Sequence, residues 1–386
     1  MMLFEKVRAL SNYIRSRPPR ITITLAPYSL AAALLLALAS RAIVVFVAVL
    51  SWYFFPVINP NAWFTDIPII DLFTRWDGGW YLKIAEYGYE KYPKYFYPLY
   101  PFLMKALSTP LRAFMPPLWA LCIAGFAISN ASFFAAVVAL YRLTRLVFGD
   151  EKTAYYACAF LSLHPASVFL SSLYVESLSL ALTLWTFVAL EENRVSRALA
   201  LASLVSLSRP VGFVVSVSFL AKGLRGRSIA YIAAALMPIL PLAIFDYYWR
   251  IITGRSRIAA AIRGLTRINA KRLVPIFSCL YMPQFNFALK ILFIPLFIVA
   301  ILSIMYFIIC KRGIEYYAYS AALLAIYAVY ANIRGFPRYS LLIISIYWLL
   351  GRLVSKNATL SSALLAASAS LMGLLTSVFV NWYELS

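Results

Sequence analysis

The chain reads as an all-α polytopic membrane protein, a single domain over residues 1–386, and three observations predict this. Hydrophobic residues make up 63% of the sequence and the mean hydropathy is +0.81, whereas soluble domains run nearer ~45–50% apolar. The apolar runs are continuous rather than alternating, which favours spanning helices over an outer-membrane barrel. The 35 Lys and Arg, against 14 Asp and Glu, sit largely at the ends of those runs, where lipid headgroups gather basic residues. No soluble domain exists to carry a basic binding face, so the net charge of +21 does not indicate nucleic acid.

Runs of spanning or half-spanning length predict about eleven helices, near 28–54, 117–141, 153–170, 174–190, 197–208, 210–223, 228–247, 287–310, 315–332, 338–352 and 359–381. Arg41 interrupts the first, where it must face the bundle interior or a wet cavity. The runs 197–208 and 210–223 are too short to span alone and are split by Arg209-Pro210. Proline disfavours helix at the preceding residue, so they form a bent pair. The first twenty residues hold Lys6, Arg8, Arg15, Arg17 and Arg20 without a short apolar core, unlike a cleavable signal. Cys122, Cys158, Cys279 and Cys310 are widely separated and form neither a disulfide framework nor a zinc pattern.

With the basic N-terminus cytoplasmic, the inner turns hold Arg142/Arg145/Lys152, Arg194/Arg197, Lys222/Arg225/Arg227, Lys311/Arg312 and Arg352/Lys356. Two large polar loops then lie outside, a first outer loop at 55–116 and a basic outer loop at 248–286. The basic loop holds Arg250, Arg255, Arg257, Arg263, Arg267, Lys271 and Arg272, where few cations are expected. Either the side count is off by one helix, or this is an interfacial segment that holds an anionic headgroup or lipid phosphate.

On this topology Asp77, His164, Glu176, Arg209, Asp246, Arg250, Arg334 and Arg338 share the outer face. Polar residues at membrane depth are costly and usually functional. Each also has a plainer reading: a helix cap for His164, a structural ion pair for Glu176 or Arg41, a loop cap for Asp66 or Asp71. No DxD pair and no His/Cys cluster has metal spacing, and no P-loop or GxGxxG is present; no metal or cofactor is expected. Carboxylates concentrate in the first outer loop, with Asp66, Asp71, Asp77, Glu86 and Glu90 close together. Around Asp77, the stretch "RWDGGWYLKIAEYGY" (75–89) sets Trp76, Trp80 and Tyr81. These are an interfacial aromatic belt or a wall for a sugar ring, and Gly78-Gly79 would let backbone approach a ligand closely.

"RWDGGWYLKIAEYGY" followed by "FYPLYPFL" resembles the first lumenal loop of the PIG-V family, the GPI mannosyltransferase 2 type. "HPASVFLSSLYVESL" (164–178), "LSRPVGFV" (207–214) and "RGFPRYSL" (334–341) are similar to three further segments of that family, in the same order. The chain departs at Gly78-Gly79 and at Pro210-Val211, and looks compact, like a prokaryotic relative. The resemblance implies a GT-C-like bundle with catalytic outer loops, and an inverting transfer of a hexose, mannose foremost, from polyprenyl or dolichyl phosphate. The acceptor would be lipid-linked or a glycan, and membrane lipid the third partner. Asp77 matches the position of the family's catalytic carboxylate and becomes the expected general base. Arg209, Arg334 and Arg338 are expected to bind the donor lipid phosphate, and Trp76, Trp80, Tyr81, His164, Tyr174 and Glu176 to contact substrate. The active site would be non-cytoplasmic, in the plasma membrane of a prokaryote or the endoplasmic reticulum of a eukaryote. The rival from another class is a transporter or flippase of a lipid-linked sugar or phosphate compound. It predicts inverted repeats and midplane charges, and only Arg41 is of that kind. A purely structural subunit leaves the polar residues on one face unexplained.

Overall fold

Proline, glycine and a few capping side chains decide where the apolar runs become helices. The computed structural model describes residues 26–58, 64–65, 67–89, 96–254, 256, 287–310, 313–330 and 335–383, and every regular element among them is helical. Among the described residues, four stretches are long and apolar enough to cross a membrane: Leu30–Phe54, Pro117–Phe148, Ile229–Ile252 and Ala358–Val380. At ~1.5 Å per residue, the 25 residues of the first exceed the ~30 Å hydrocarbon core.

Helix α1 (Leu30–Phe54) starts where the Ser29 side chain accepts the Ala32 N–H. The polar segment that follows contributes three helices, α2 (Pro68–Asp71), α3 (Asp77–Tyr87) and α4 (Leu99–Leu111). The long α5 (Pro117–Phe148) opens on proline and closes on Gly149 at φ 70°. Then come α6 (Glu151–Ser162), α7 (Glu176–Glu191) and α8 (Val195–Ser208).

Three expected helices are divided. The run 153–170 stops at Ser162 because His164 precedes Pro165; the chain turns there and forms a 3-10 turn, Ser167–Leu170. The run 228–247 breaks around Pro238 into α10 (Ile229–Ala234) and α11 (Ile239–Thr253), after α9 (Ser216–Gly226). Beyond α12 (Phe287–Cys310) and α13 (Ile314–Tyr330), the run 338–352 is a short α14 (Phe336–Tyr339), a 3-10 turn, Ser340–Leu342, and then α15 (Ile344–Val354). Helix α16 (Ala358–Val380) is last. The bent pair forms as expected. Arg209 is extended at φ −146°, ψ 153° before Pro210, and the chain folds back so tightly that a β-carbon on Gly212 would lie 2.1 Å from the Val205 carbonyl oxygen.

The core runs between α1, α5, α6, α7, α15 and α16, around Phe133, Leu140, Phe160, Leu184, Phe187 and Trp348. Arg41 is buried within it and faces inward. Its guanidinium donates to the carbonyls of Ser162 at 3.0 Å and Ser167 at 2.8 Å, to the Ser171 hydroxyl at 3.0 Å and to the Ser167 hydroxyl, and it lies over the Phe133 ring at 4.3 Å. Its hydrogen-bond partners are neutral oxygens, of Ser40 on α1 and of the end of α6 and the turn after it. One buried charge thereby ties α1 to the segment that leads into Tyr174 and Glu176.

Candidate active site

Four separated segments converge at one end of the bundle: the start of α3, the turn into α7, the end of α8, and α14. The first is built around a strained residue. Trp76 has φ 56°, a left-handed conformation that costs a bulky residue roughly 1–3 kcal/mol, and it sets Asp77 at the head of α3. A buried ion pair holds the approach: Asp71 and Arg75, both 0% exposed, meet at 2.7 Å. Asp71 Oδ1 also accepts the N–H of Phe64 at 2.7 Å and of Thr65 at 3.1 Å. The Tyr174 phenol then spans Trp76, donating to the Arg75 carbonyl and accepting the Asp77 N–H, both at 3.1 Å. From the C-terminal end, Trp382 packs on Trp76 at 5.1 Å and over the Arg75 guanidinium at 5.1 Å.

This scaffold presents Asp77 to a chain of alternating charges. Arg338 Nη1 donates to Asp77 Oδ2 at 2.6 Å, and Arg338 Nε lies 3.3 Å from Glu176 Oε1. Arg209 Nη1 donates to the same Glu176 oxygen at 3.1 Å. Burial opposes the charge of Arg338, but Asp77 and Glu176 outweigh it and hold the guanidinium well above the usual arginine range. The rings of Tyr339, Tyr174 and Phe169 surround it at 5.1, 5.5 and 5.7 Å, and Tyr339 stacks on Tyr327. The Asp77 side chain is 33% exposed while that of Glu176 is only 2%. Asp77 is therefore the carboxylate open to an incoming molecule. Glu176 Oε2 is buried and takes no hydrogen bond from the described residues.

Of the residues singled out in the sequence, the structure brings together Asp77, Tyr174, Glu176, Arg209 and Arg338. Arg334 and most of the basic 250–272 cluster lie outside the described residues. His164 is turned to the protein itself: Nδ1 accepts the Ala166 N–H at 3.1 Å, and Nε2 lies 3.3 Å from the Ser340 hydroxyl, two residues beyond Arg338. Burial pushes its pKa down to about 3, so the ring is neutral. The aromatics do not form one wall. Trp76 packs on Trp382, Trp80 is half exposed beneath Lys83 at 4.9 Å, and Tyr81 meets Phe96 and Tyr100 edge-on. Burial, then Glu176 and Asp77, raise the Tyr81 phenol well above its ordinary value. Gly79 has a packing reason instead of a ligand-facing one: a β-carbon there would lie 2.2 Å from the Phe64 ring, whereas one on Gly78 would make only ordinary contact with Leu173.

The Asp71–Arg75 pair and Trp382 went unnoticed in the sequence as site-building residues. The i, i+4 acid–base spacing was a legible signal for the pair; nothing local connects Trp382 to Trp76. Among the described residues, no group of three His, Cys, Asp or Glu side chains is placed to hold a metal ion. Chemically, the arrangement offers one open carboxylate that can accept a proton and two buried guanidiniums that can meet an anion.

Known proteins resemble this chain in sequence and in shape. GPI alpha-1,6-mannosyltransferase 2 of Cricetulus griseus is 30% identical over 196 residues, 45% of this chain and 40% of that protein. GPI mannosyltransferase 2 of Drosophila pseudoobscura pseudoobscura is 29% identical over 126 residues, 31% of this chain and 28% of that protein. The matches thus span less than half of those relatives. An oligosaccharyltransferase of Archaeoglobus fulgidus, crystallised with zinc and sulfate, superposes with a TM-score of 0.47 at 16% identity, over 89% of this chain and 53% of that one. Residues 69–379, which include Asp77, Glu176, Arg209 and Arg338, match the family model for mannosyltransferase (PIG-V), and the chain belongs to that family.

Proposed function

We propose that the protein is a membrane glycosyltransferase that moves a hexose, mannose foremost, from polyprenyl or dolichyl phosphate to a hydroxyl of a lipid-linked or glycan acceptor. The reading rests on one observation above all: the chain Asp77–Arg338–Glu176–Arg209, assembled from four distant segments of one family-matched region. The mannosyltransferase names of the relatives support the sugar.

In this reading Asp77 takes the acceptor hydroxyl proton as the new O–C1 bond forms and the bond from C1 to the phosphate oxygen breaks, with inversion at C1. The polyprenyl phosphate leaves with the bonding electrons and gains negative charge. Arg338 and Arg209 meet that charge, and no acid is needed. The 2.6 Å contact between Arg338 and Asp77 fits an ordered sequence. The Asp77 oxygen is occupied by the Arg338 guanidinium, and a donor phosphate that competes for Arg338 frees the carboxylate only once donor is bound. In this reading the charged end of the bundle faces the non-cytoplasmic side, which the basic inner turns support. Incubating membranes with radiolabelled polyprenyl-phosphate mannose and candidate acceptors tests the donor class. Transfer from a nucleotide-sugar with no polyprenol present contradicts it.

A further inference from the structure

A second polar site lies at the opposite end of the bundle. α15 begins just after the segment of Arg338 and ends at Val354, about 16 Å away at helical rise. There its close packing on α6 opens a cavity of about 390 Å³. Gly351 makes this approach possible, since a β-carbon would stand 2.9 Å from the Thr153 carbonyl oxygen. The cavity is walled by Asp150, Thr153, Tyr306, Arg352, Leu353 and Lys356.

Its charges differ from their neighbours. Arg142 pairs with Glu192, Arg145 with Glu151, and Arg225 with Glu315. Among the described residues, no carboxylate oxygen lies within the 4.0 Å ion-pair distance of Arg352 or Lys356. Asp150, the acid in the wall, spends its oxygens capping α6: Oδ1 accepts Lys152 N–H at 3.0 Å, and Oδ2 accepts Thr153 N–H at 3.2 Å and the Thr153 hydroxyl. Arg352 is held over the Phe148 ring at 5.1 Å. Arg352, whose charge also acts on the nearby Asp150, and Lys356 thus line a polar cavity large enough for a phosphate-bearing headgroup. The rim is apolar on its outer side: Leu353, itself part of the wall, is 49% exposed, and Ile309, near Tyr306 on α12, is 77% exposed. A ligand with aliphatic chains satisfies both halves, whereas a soluble phosphate satisfies only the inner one.

We propose that this cavity binds the headgroup of an anionic phospholipid, with Arg352 and Lys356 on its phosphate and its acyl chains against Leu353 and Ile309. The site is independent of the Asp77 chemistry. The test is native mass spectrometry of the purified full-length protein with phosphatidylglycerol, phosphatidylcholine or inorganic phosphate. Wild type retains phosphatidylglycerol about tenfold over phosphatidylcholine, and Arg352→Gln/Lys356→Gln abolishes that preference. Arg145→Gln, which removes a paired cation at the same end, keeps it. Should the double variant fail to fold, Lys356→Gln alone, at an exposed position, lowers the preference about threefold. The proposal is overturned by equal retention of the two lipids, by a preference unchanged in the Arg352 and Lys356 variants, or by millimolar phosphate that binds as well as lipid.

Discussion

Replacing Arg338 with lysine keeps a positive charge beside Asp77 but removes the guanidinium fork. Arg338 now donates to Asp77 at 2.6 Å, stands 3.3 Å from Glu176, and lies among three aromatic rings. A lysine ammonium reaches one carboxylate and cannot stack in the same way. A charge-assisted hydrogen bond contributes roughly 1.5–3 kcal/mol. If one such contact to the departing phosphate is missing in the transition state, about 2 kcal/mol is lost, which is roughly 30-fold in kcat/KM. Arg338→Ala is expected to do more damage of another kind. It leaves Asp77 and Glu176 without their shared cation, at a stability cost below the about 3–5 kcal/mol of a fully buried pair, because Asp77 is 33% exposed and Glu176 keeps Arg209. Transfer from radiolabelled polyprenyl-phosphate mannose, with kcat and KM measured separately in membranes normalised for folded protein, distinguishes the two. A lysine variant within about twofold of wild type refutes the role given to the fork.

Asp71→Ala removes the buried carboxylate that pairs with Arg75 and should lower stability by about 3–5 kcal/mol, read as an earlier thermal unfolding midpoint in detergent. Tyr174→Phe removes the phenol that holds both peptide groups around Trp76; kcat should fall about tenfold with donor KM retained, and an unchanged kcat contradicts the positioning role. For His164 the sign follows from its pKa of about 3 in the fold against ~6.5 unfolded. The unfolded chain takes up the extra proton below pH ~6.5, so stability is lost as pH falls from there towards 3. His164→Gln should flatten that stability profile and leave the activity profile between about pH 6 and 8 unmoved.

Much of this was legible because apolar continuity and proline placement are local signals. Arg209-Pro210 announced the bent pair, and Arg41 announced an inward-facing residue, since a guanidinium inside an apolar run has nowhere else to go. The helical start at Asp77 was hidden. Two glycines follow it, which depresses helix propensity, and the second makes room for the Phe64 ring, fifteen residues before Gly79 in the chain. His164 read as a candidate contact because it falls on the expected outer face and opens the family-like segment 164–178. Only its packing against Ser340 reveals that it holds the Arg338 segment in place. The aromatic wall dissolved for a similar reason: composition gives ring counts but not partners, and Trp76 finds its partner in Trp382, at the far end of the chain.

The central claim is that Asp77 accepts the proton of the acceptor hydroxyl, and the most direct measurement is hexose transfer by Asp77→Asn. Asparagine keeps the shape and a hydrogen bond to Arg338 but cannot take the proton. Transfer should fall roughly 10²–10⁴-fold, with donor binding retained or tightened because Arg338 is freed from its carboxylate. Transfer at the wild-type rate contradicts the account.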